Sequence, residues 1–491
     1  MNEIKIFGSN TIEAHRVGDL HIHRMGHRGG YCAKWEFDEI NKIPDATCLN
    51  SSPLMNLVRF VERIIKEWSG SIVINGLNNV LEKNIWNITE FESKLLKTII
   101  DIQHARSLDD PIYFGLNSYG SENGENEDPH NRKLLSSALF TAIARGWNNK
   151  INLSKIVPII SLSSKFDWEN AEDKVFELAG KFGTPLFLNQ SGEKVNSSFW
   201  MGDNKSNKGT IGAMTINLPR LAFFNKDEDI FLDSIGEVME IAKEGLESKR
   251  RDLQERLDGG AMPITNDIGT SFEGYKSAIG VTGVHEALNN LFDKGIESKQ
   301  GKAVAYKILE YMQDRLREFE AETNNLFCLQ ATPSDGAGYR LAEIDKEKYP
   351  EIKTSGVETS YYTNSTWLPV DYTDDFWDAL EHQKKLQTMY DGWTVFNIRL
   401  GKELDDADGC KLLTRRIIES FQVPSFIFSS VLSMCPTHGY VTGGRSECPK
   451  CGAVNQLLNR FEDRFRPNED WSRGEVEEYK KCKPYVVVSG Q

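Results

Sequence analysis

Thr210-Ile-Gly-Ala-Met-Thr-Ile-Asn-Leu218 is a nearly unbroken apolar and β-branched run. A strand with one wet face would alternate apolar with polar residues. This run does not, so it reads as a strand buried on both faces, as in a parallel sheet covered by helices. Its surroundings agree. A long charged amphipathic helix is expected from about Asp229 to Leu257, then a second buried strand at Ala278-Ile-Gly-Val-Thr-Gly283, which runs directly into a helix around Glu286–Phe292. Working outward, Ile156–Leu162, Thr184–Leu188, Leu326–Gln330, Gly392–Leu400 and Pro424–Phe428 read as strands, and Gly301–Asn324 and Gly409–Ser420 as helices. Alternation of this kind predicts an α/β fold with a mainly parallel sheet. Asn117–Arg132 is polar and acidic around Glu122–Asp128 and reads as an exposed loop. A short helix is expected to begin near Asp470.

Bulk composition narrows the class. The 491 residues are 39% hydrophobic and 26% charged, as in ordinary globular proteins. A net charge of −14 argues against a broad electrostatic grip on nucleic acid or an anionic membrane. No apolar run reaches the length of a membrane span, and the start Met1-Asn-Glu-Ile-Lys has no signal-peptide core. Of eight cysteines, Cys32, Cys48, Cys328, Cys410 and Cys482 are scattered singly, which suits a reducing compartment and a cytoplasmic location.

The other three cysteines belong to a pattern. Cys435-Pro-Thr-His438 and Cys448-Pro-Lys-Cys451 are two pairs with two-residue spacers, joined by a glycine-rich turn. Two tight knuckles of this kind place four ligands around a tetrahedral zinc ion. A closed four-ligand set marks a structural rather than a catalytic metal. Arg445, Lys450, Arg460, Arg464 and Arg466 nearby leave open a local basic face toward a partner or nucleic acid.

Several further blocks, taken in order, resemble the anaerobic (class III) ribonucleoside-triphosphate reductases. They are Ala14–His23 with its His21-Ile-His23, Gly30-Tyr-Cys32-Ala-Lys-Trp35, Gly212–Arg220, Ile279–Gly283, Ala331-Thr-Pro333, Tyr339–Lys346 and Tyr361–Val370, followed by the zinc pattern. The resemblance runs from about residue 10 to 485. It implies a ten-stranded α/β barrel of the glycyl-radical enzyme and ribonucleotide reductase type, built from two parallel half-sheets and carrying a C-terminal zinc knuckle. The implied organisation is a barrel over 1–430 with no N-terminal ATP-cone, a zinc-binding knuckle over 431–458, and a tail over 459–491 matching the glycyl-radical loop region.

In that family an iron–sulfur activase makes a radical on a C-terminal glycine. The radical is relayed to a cysteine on a central loop, which then attacks the ribose, and a second cysteine takes part in reduction. This chain matches only the second cysteine, Cys32. The central loop reads Met201-Gly202-Asp203-Asn204, and the C-terminal segment reads Arg460-Phe-Glu-Asp463-Arg464-Phe465. Asp203 and Asp463 therefore stand at the thiyl and glycyl positions. A glycyl radical needs a bare Cα that can flatten, and a carboxylate O–H is too strong a bond to carry the hydrogen. Arg24 also stands where the family has Asp.

The resulting expectation is a catalytically inactive, nucleotide- or partner-binding pseudoenzyme without a glycyl radical. Its partners would be ribonucleoside triphosphates or dNTPs, in a homodimer or in a heterodimer with a true reductase. Two alternatives stay open, a functional anaerobic reductase and a non-radical enzyme using Asp203 and Asp463 as acid and base. Cys32 reads as a relic at a substrate face or as a packing residue. His21 and His23 read as pocket residues or, with His27, as metal ligands. Asn217, Asn364, Ser365 and Thr366 match polar positions of the family's substrate pocket, with local hydrogen bonding as the other reading. Gly280 and Gly283 resemble a phosphate-cradling turn or a close strand–helix contact.

Overall fold

The structure, a computed structural model, describes residues 6–40, 43, 52–77, 87–105, 110–116, 129–164, 166–191, 208–269, 271–331, 336–400, 404, 406–441, 443–461 and 464–486. Eleven strands form the main sheet: β1 (Leu20–Ile22), β2 (Cys32–Glu36), β3 (Ile72–Asn75), β4 (Ile112–Leu116), β5 (Ile156–Leu162), β6 (Leu186–Asn189), β7 (Gly209–Asn217), β8 (Tyr275–Thr282), β9 (Leu326–Gln330), β10 (Phe396–Arg399) and β11 (Ser425–Ser429). Their order is β10-β11-β6-β5-β4-β3-β2-β7-β8-β9, with the short β1 added antiparallel to β7.

Strands β2 to β6 run parallel to one another, as do β7 to β9 and the pair β10–β11. The two groups meet antiparallel at β2–β7 and at β6–β11. The remaining gap is stitched by Gly392 N donating to Leu329 O and Ala331 N donating to Trp393 O, both at 2.8 Å. The ten strands thus close into a barrel of two parallel half-sheets, as the resemblance implies.

Strand periodicity explains the layers. Every second side chain points inward, so Cys32, Val73, Tyr113, Ile159, Leu188, Ala213, Ala278, Cys328 and Ile427 meet in one buried interior cluster. Alternate residues face outward under the helices, forming one large apolar layer on β2–β6 and a second on β7–β9. β7 and β8 are buried along their whole length, as their lack of alternation demands.

Helix ends follow local chemistry. Asp227 caps helix Glu228–Asp258 by accepting from the amides of Asp229 and Ile230, and Ser298 caps helix Lys299–Thr323 by accepting from Gly301 N. Sequence boundaries differ where other forces decide. The expected loop through Arg132 ends earlier, because Pro129 opens helix Pro129–Asn148; residues 117–128 lie outside the described set. The strand expected from Thr184 starts at Leu186, because Pro185 has no amide to donate. A separate four-stranded antiparallel sheet, β12 (Leu432–Cys435), β13 (Gly439–Val441), β14 (Gln456–Phe461) and β15 (Arg464–Pro467), packs on the barrel, with Tyr440 edge-on to Phe182 at 4.8 Å. Helix Arg473–Lys481 follows it, closed by a capping box between Ser472 and Glu475.

Candidate functional site

β1 and the C-terminal half of β7 line one mouth of the barrel. Pairing of His21 with Thr215 sets their register. His23 is buried, and its Nε2 lies 2.7 Å from Thr215 Oγ1. The rings of His15, His21 and His23 follow one another at 5.3 and 4.9 Å. Ile22 N donates to His15 Nδ1 at 3.0 Å. Burial, helped by Arg340 and His23, pushes the His15 imidazole down to about 4. The structure brings His21 and His23 together. Among the described residues, however, no His, Cys or acidic grouping that could surround a metal includes them or His27.

Cys32 lines the barrel interior, and so does Cys328 on β9, which sequence reasoning passed over. Burial pushes the Cys328 thiol well up, so it stays protonated.

Asn217 ends β7 and caps helix Leu218–Phe224. Its Nδ2 donates to Gly18 O at 2.8 Å and to Asp345 Oδ2 at 2.7 Å. Asp345, fully buried, also accepts from Arg220 Nε at 2.6 Å and from the Tyr362 hydroxyl at 2.7 Å. Arg220 reaches Asp19 at 2.8 Å. Burial opposes the Arg220 charge, but Asp345 and Asp19 outweigh it and raise its pKa. This knot ties together the chain before β1, the end of β7, helix Ala337–Lys348 and the segment through Tyr362.

Asn364, Ser365 and Thr366 are buried beside it. Ser365 holds a left-handed backbone (φ 44°), an unusual conformation for a residue with a side chain. The Tyr390 hydroxyl donates to Thr366 Oγ1 at 3.0 Å. Glu286 anchors the same segment by accepting from Thr363 N at 3.1 Å and from Thr363 Oγ1 at 2.8 Å. Gly283 N donates to Thr363 O at 2.7 Å and Val284 N to Ser365 O at 3.3 Å, so the expected phosphate-cradling amides are spent on the chain itself. Gly283 adopts φ +72°, and a Cβ there would lie 2.3 Å from Pro219 Cγ. Close packing is therefore the reason for that glycine.

Asp203 and Asp463 lie outside the described residues. The neighbour of Asp463 does not. Arg464 Nη1 meets Asp110 Oδ1 at 2.7 Å, and Arg24 Nη2 meets Asp110 Oδ2 at 2.6 Å. Asp110 and Arg464 are buried, so the β14–β15 hairpin is clasped by ions to the chain before β4 and after β1. Arg24 also has a left-handed backbone (φ 51°). Arg460 packs its guanidinium over Phe465 and donates to Gly183 O, and Arg466 pairs with Glu475 at 2.8 Å. Three of the five cations proposed for an outward basic face thus turn inward.

The metal centre is compact. Ligand atoms of Cys435, His438, Cys448 and Cys451 all lie within 4.8 Å of one another. Cys435 Sγ is 3.7 Å from both His438 Nδ1 and Cys451 Sγ, and Cys448 Sγ is 3.5 Å from His438 Nδ1. A tetrahedron of about 2.3 Å metal–sulfur bonds has edges near these lengths. The amides of Thr437 and His438 donate to Cys435 Sγ at 3.3 and 3.2 Å, which favours its thiolate. The donor set fits a divalent metal. Gly439 and Gly452 take the positive φ angles that the knuckle turns require.

The curated relatives include the anaerobic ribonucleoside-triphosphate reductases of Haemophilus influenzae (25% identical over 307 residues, 57% of this chain and 42% of that protein) and Escherichia coli (25% over 312 residues, 57% and 42%). The matched region therefore spans less than half of those proteins. A solved anaerobic ribonucleotide reductase superimposes with a TM-score of 0.81 at 17% identity, covering 97% of this chain and 84% of that one. The Thermotoga maritima enzyme in complex with dATP and CTP superimposes with a TM-score of 0.78 at 16% identity, covering 93% and 84%. The family model for anaerobic ribonucleoside-triphosphate reductase matches residues 107–485, most of the chain, and the protein belongs to that family.

Proposed function

We propose that this chain is a non-radical member of its family, which binds a nucleoside triphosphate at the barrel mouth and regulates rather than reduces. The observation that carries this reading is aspartate at both radical positions, Asp203 and Asp463, in a chain that keeps the barrel, the polar mouth and the metal cluster. The ionic clasp beside position 463 supports it, since a hairpin held by Arg464 and Asp110 differs in chemistry from a radical-bearing loop. His21, His23, Asn364, Ser365 and Thr366 are the nucleotide contacts in this reading. Asn217, whose amide hydrogens are already used, acts by positioning. Cys32 is a relic on the barrel wall. The Cys435–Cys451 cluster holds a structural Zn²⁺. The partner is a second copy or an active reductase, in the cytoplasm. The Thermotoga complex with dATP and CTP supports nucleotides as the ligand class.

Thermal unfolding of the metal-loaded protein against ribo- and deoxyribonucleoside triphosphates tests the binding half. A ligand at about 100 times its Kd should stabilise the fold by about 2.7 kcal/mol. Electron paramagnetic resonance after anaerobic activation tests the other half. No carbon-centred radical and no dNTP product are expected; a radical with product would establish an active reductase instead.

A further inference from the structure

At the same end of the barrel, helix Arg473–Lys481 roofs the ends of β10 and β11 over a cavity of about 240 Å³. That is far more than one water needs and a little below the ~300 Å³ where pockets for drug-sized molecules begin, so it is sized for a small ligand. None of the residues nominated from the sequence as nucleotide contacts lines it.

Two charged groups facing this cavity, one half-buried and one buried, lack the partners their chemistry demands. Arg399, at the end of β10, makes a single side-chain hydrogen bond, from Nη1 to Cys482 Sγ at 3.1 Å. Its remaining guanidinium N–H groups have no acceptor among the described residues. Glu478 is 93% buried, and its carboxylate has no hydrogen-bond donor among the described residues. The other glutamates of the helix are occupied. Glu475 holds Arg466 and accepts from Ser472 N at 2.7 Å, while Glu477 accepts from Val357 N at 2.9 Å. Burial pushes the Glu478 carboxyl up to about 7 against the pull of Arg399, with Glu286 and Glu475 adding to the rise. A buried carboxylate without donors is costly. Arg399 and Glu478 attract each other across the cavity without forming a direct ion pair.

One kind of molecule completes both groups at once. A carboxylate suits the guanidinium fork of Arg399, and an ammonium suits Glu478. Trp471 and Tyr479, edge-to-face at 5.3 Å, supply an apolar wall for a side chain. We propose that this cavity is a binding site for a small zwitterion of the α-amino-acid type, with its carboxylate on Arg399 and its ammonium on Glu478.

Calorimetric titration of the full-length, metal-loaded protein with glycine, L-alanine, L-leucine and L-phenylalanine tests this, with acetate and methylammonium as the two half-ligands. At least one amino acid should bind at millimolar concentration or better. Each half-ligand should bind roughly tenfold or more weakly, the size of one charge-assisted contact. Arg399→Gln and Glu478→Gln should each cost the amino acid a similar factor while circular dichroism and metal content stay unchanged. Glu478→Gln removes a buried charge and should fold even where Arg399→Gln does not, so it decides the matter alone if needed. The proposal fails if no amino acid in the panel binds, if acetate binds as tightly as the best amino acid, or if Glu478→Gln leaves amino-acid affinity intact.

Discussion

Asp345 and Asp110 are both buried carboxylates that tie distant parts of the chain together, yet they do so by different chemistry. Asp345 accepts from one arginine, one amide and one phenol, and all four residues of that knot lie in blocks that carry the family resemblance. Asp110 receives two guanidinium groups, from Arg24 and Arg464. The first arrangement shows that family blocks such as Gly212–Arg220 and Tyr339–Lys346 encode barrel architecture as much as any ligand contact. The second shows Arg24, where the resemblance implies an aspartate, and Arg464, the neighbour of Asp463, meeting at one carboxylate. That carboxylate clasps the β14–β15 hairpin to the chain after β1.

Four experiments would sharpen or break that contrast. The largest effect belongs to the sheet that carries the hairpin. Cys448→Ser should abolish stoichiometric metal binding and unfold β12–β15, since metal affinity at such sites is folding free energy on the order of 10 kcal/mol; metal analysis and hydrogen exchange would show it. Retained metal would mean that three ligands suffice.

Next come the two carboxylates. Asp345→Asn and Asp110→Asn should each cost about 3–5 kcal/mol in urea unfolding, because each breaks a buried ion pair. The contrast lies in where the loss appears. Asp345→Asn should lower global stability, whereas Asp110→Asn should raise exchange first in β14 and β15. Equal exchange patterns would erase the distinction between knot and clasp.

Gly283→Ala is expected to cost about 1–3 kcal/mol, through the left-handed backbone and the contact with Pro219. A neutral result would show that the segment through Thr363 gives way easily.

The smallest effect is a pH dependence at the mouth. Folded His15 titrates at about 4, while the unfolded imidazole takes up its proton near 6.5. Between these values the unfolded state binds more protons, so stability should fall as pH drops from about 6.5 to 4. The loss should be about 1–2 kcal/mol after allowing for solvent screening, and it should be absent in His15→Asn. No change in that window would place His15 in water rather than in the knot's shadow.

How much of this was legible in the sequence depended on length scale. The long elements of the second half-sheet, such as β7 and helix Glu228–Asp258, were readable because nine or more residues repeat one pattern. β3 and β4, with four and five residues, are too short to separate from a buried helical turn by periodicity. β2 hides its strand character because Cys32 and Lys34 face inward while Ala33 and Trp35 face the helices. The metal ligands were legible because their spacing is local. The residue types of the Asp345 knot were visible as blocks, but not their mutual bonds. The Asp110 clasp was invisible, because its partners lie 86 and 354 positions away and no local signal links them.

The antiparallel junction at β6–β11 has a consequence for how this molecule comes into being. Leu188 pairs with Ser425, so the first half-sheet is synthesised long before the strand that seals its edge exists. At about 5–20 residues per second, that wait is roughly ten to fifty seconds. During it β6 presents an open edge of the kind that recruits other chains. The ribosome, more than the finished fold, sets the period in which this protein is most exposed to aggregation, and a chaperone that holds the nascent chain until about residue 429 has emerged would govern its yield.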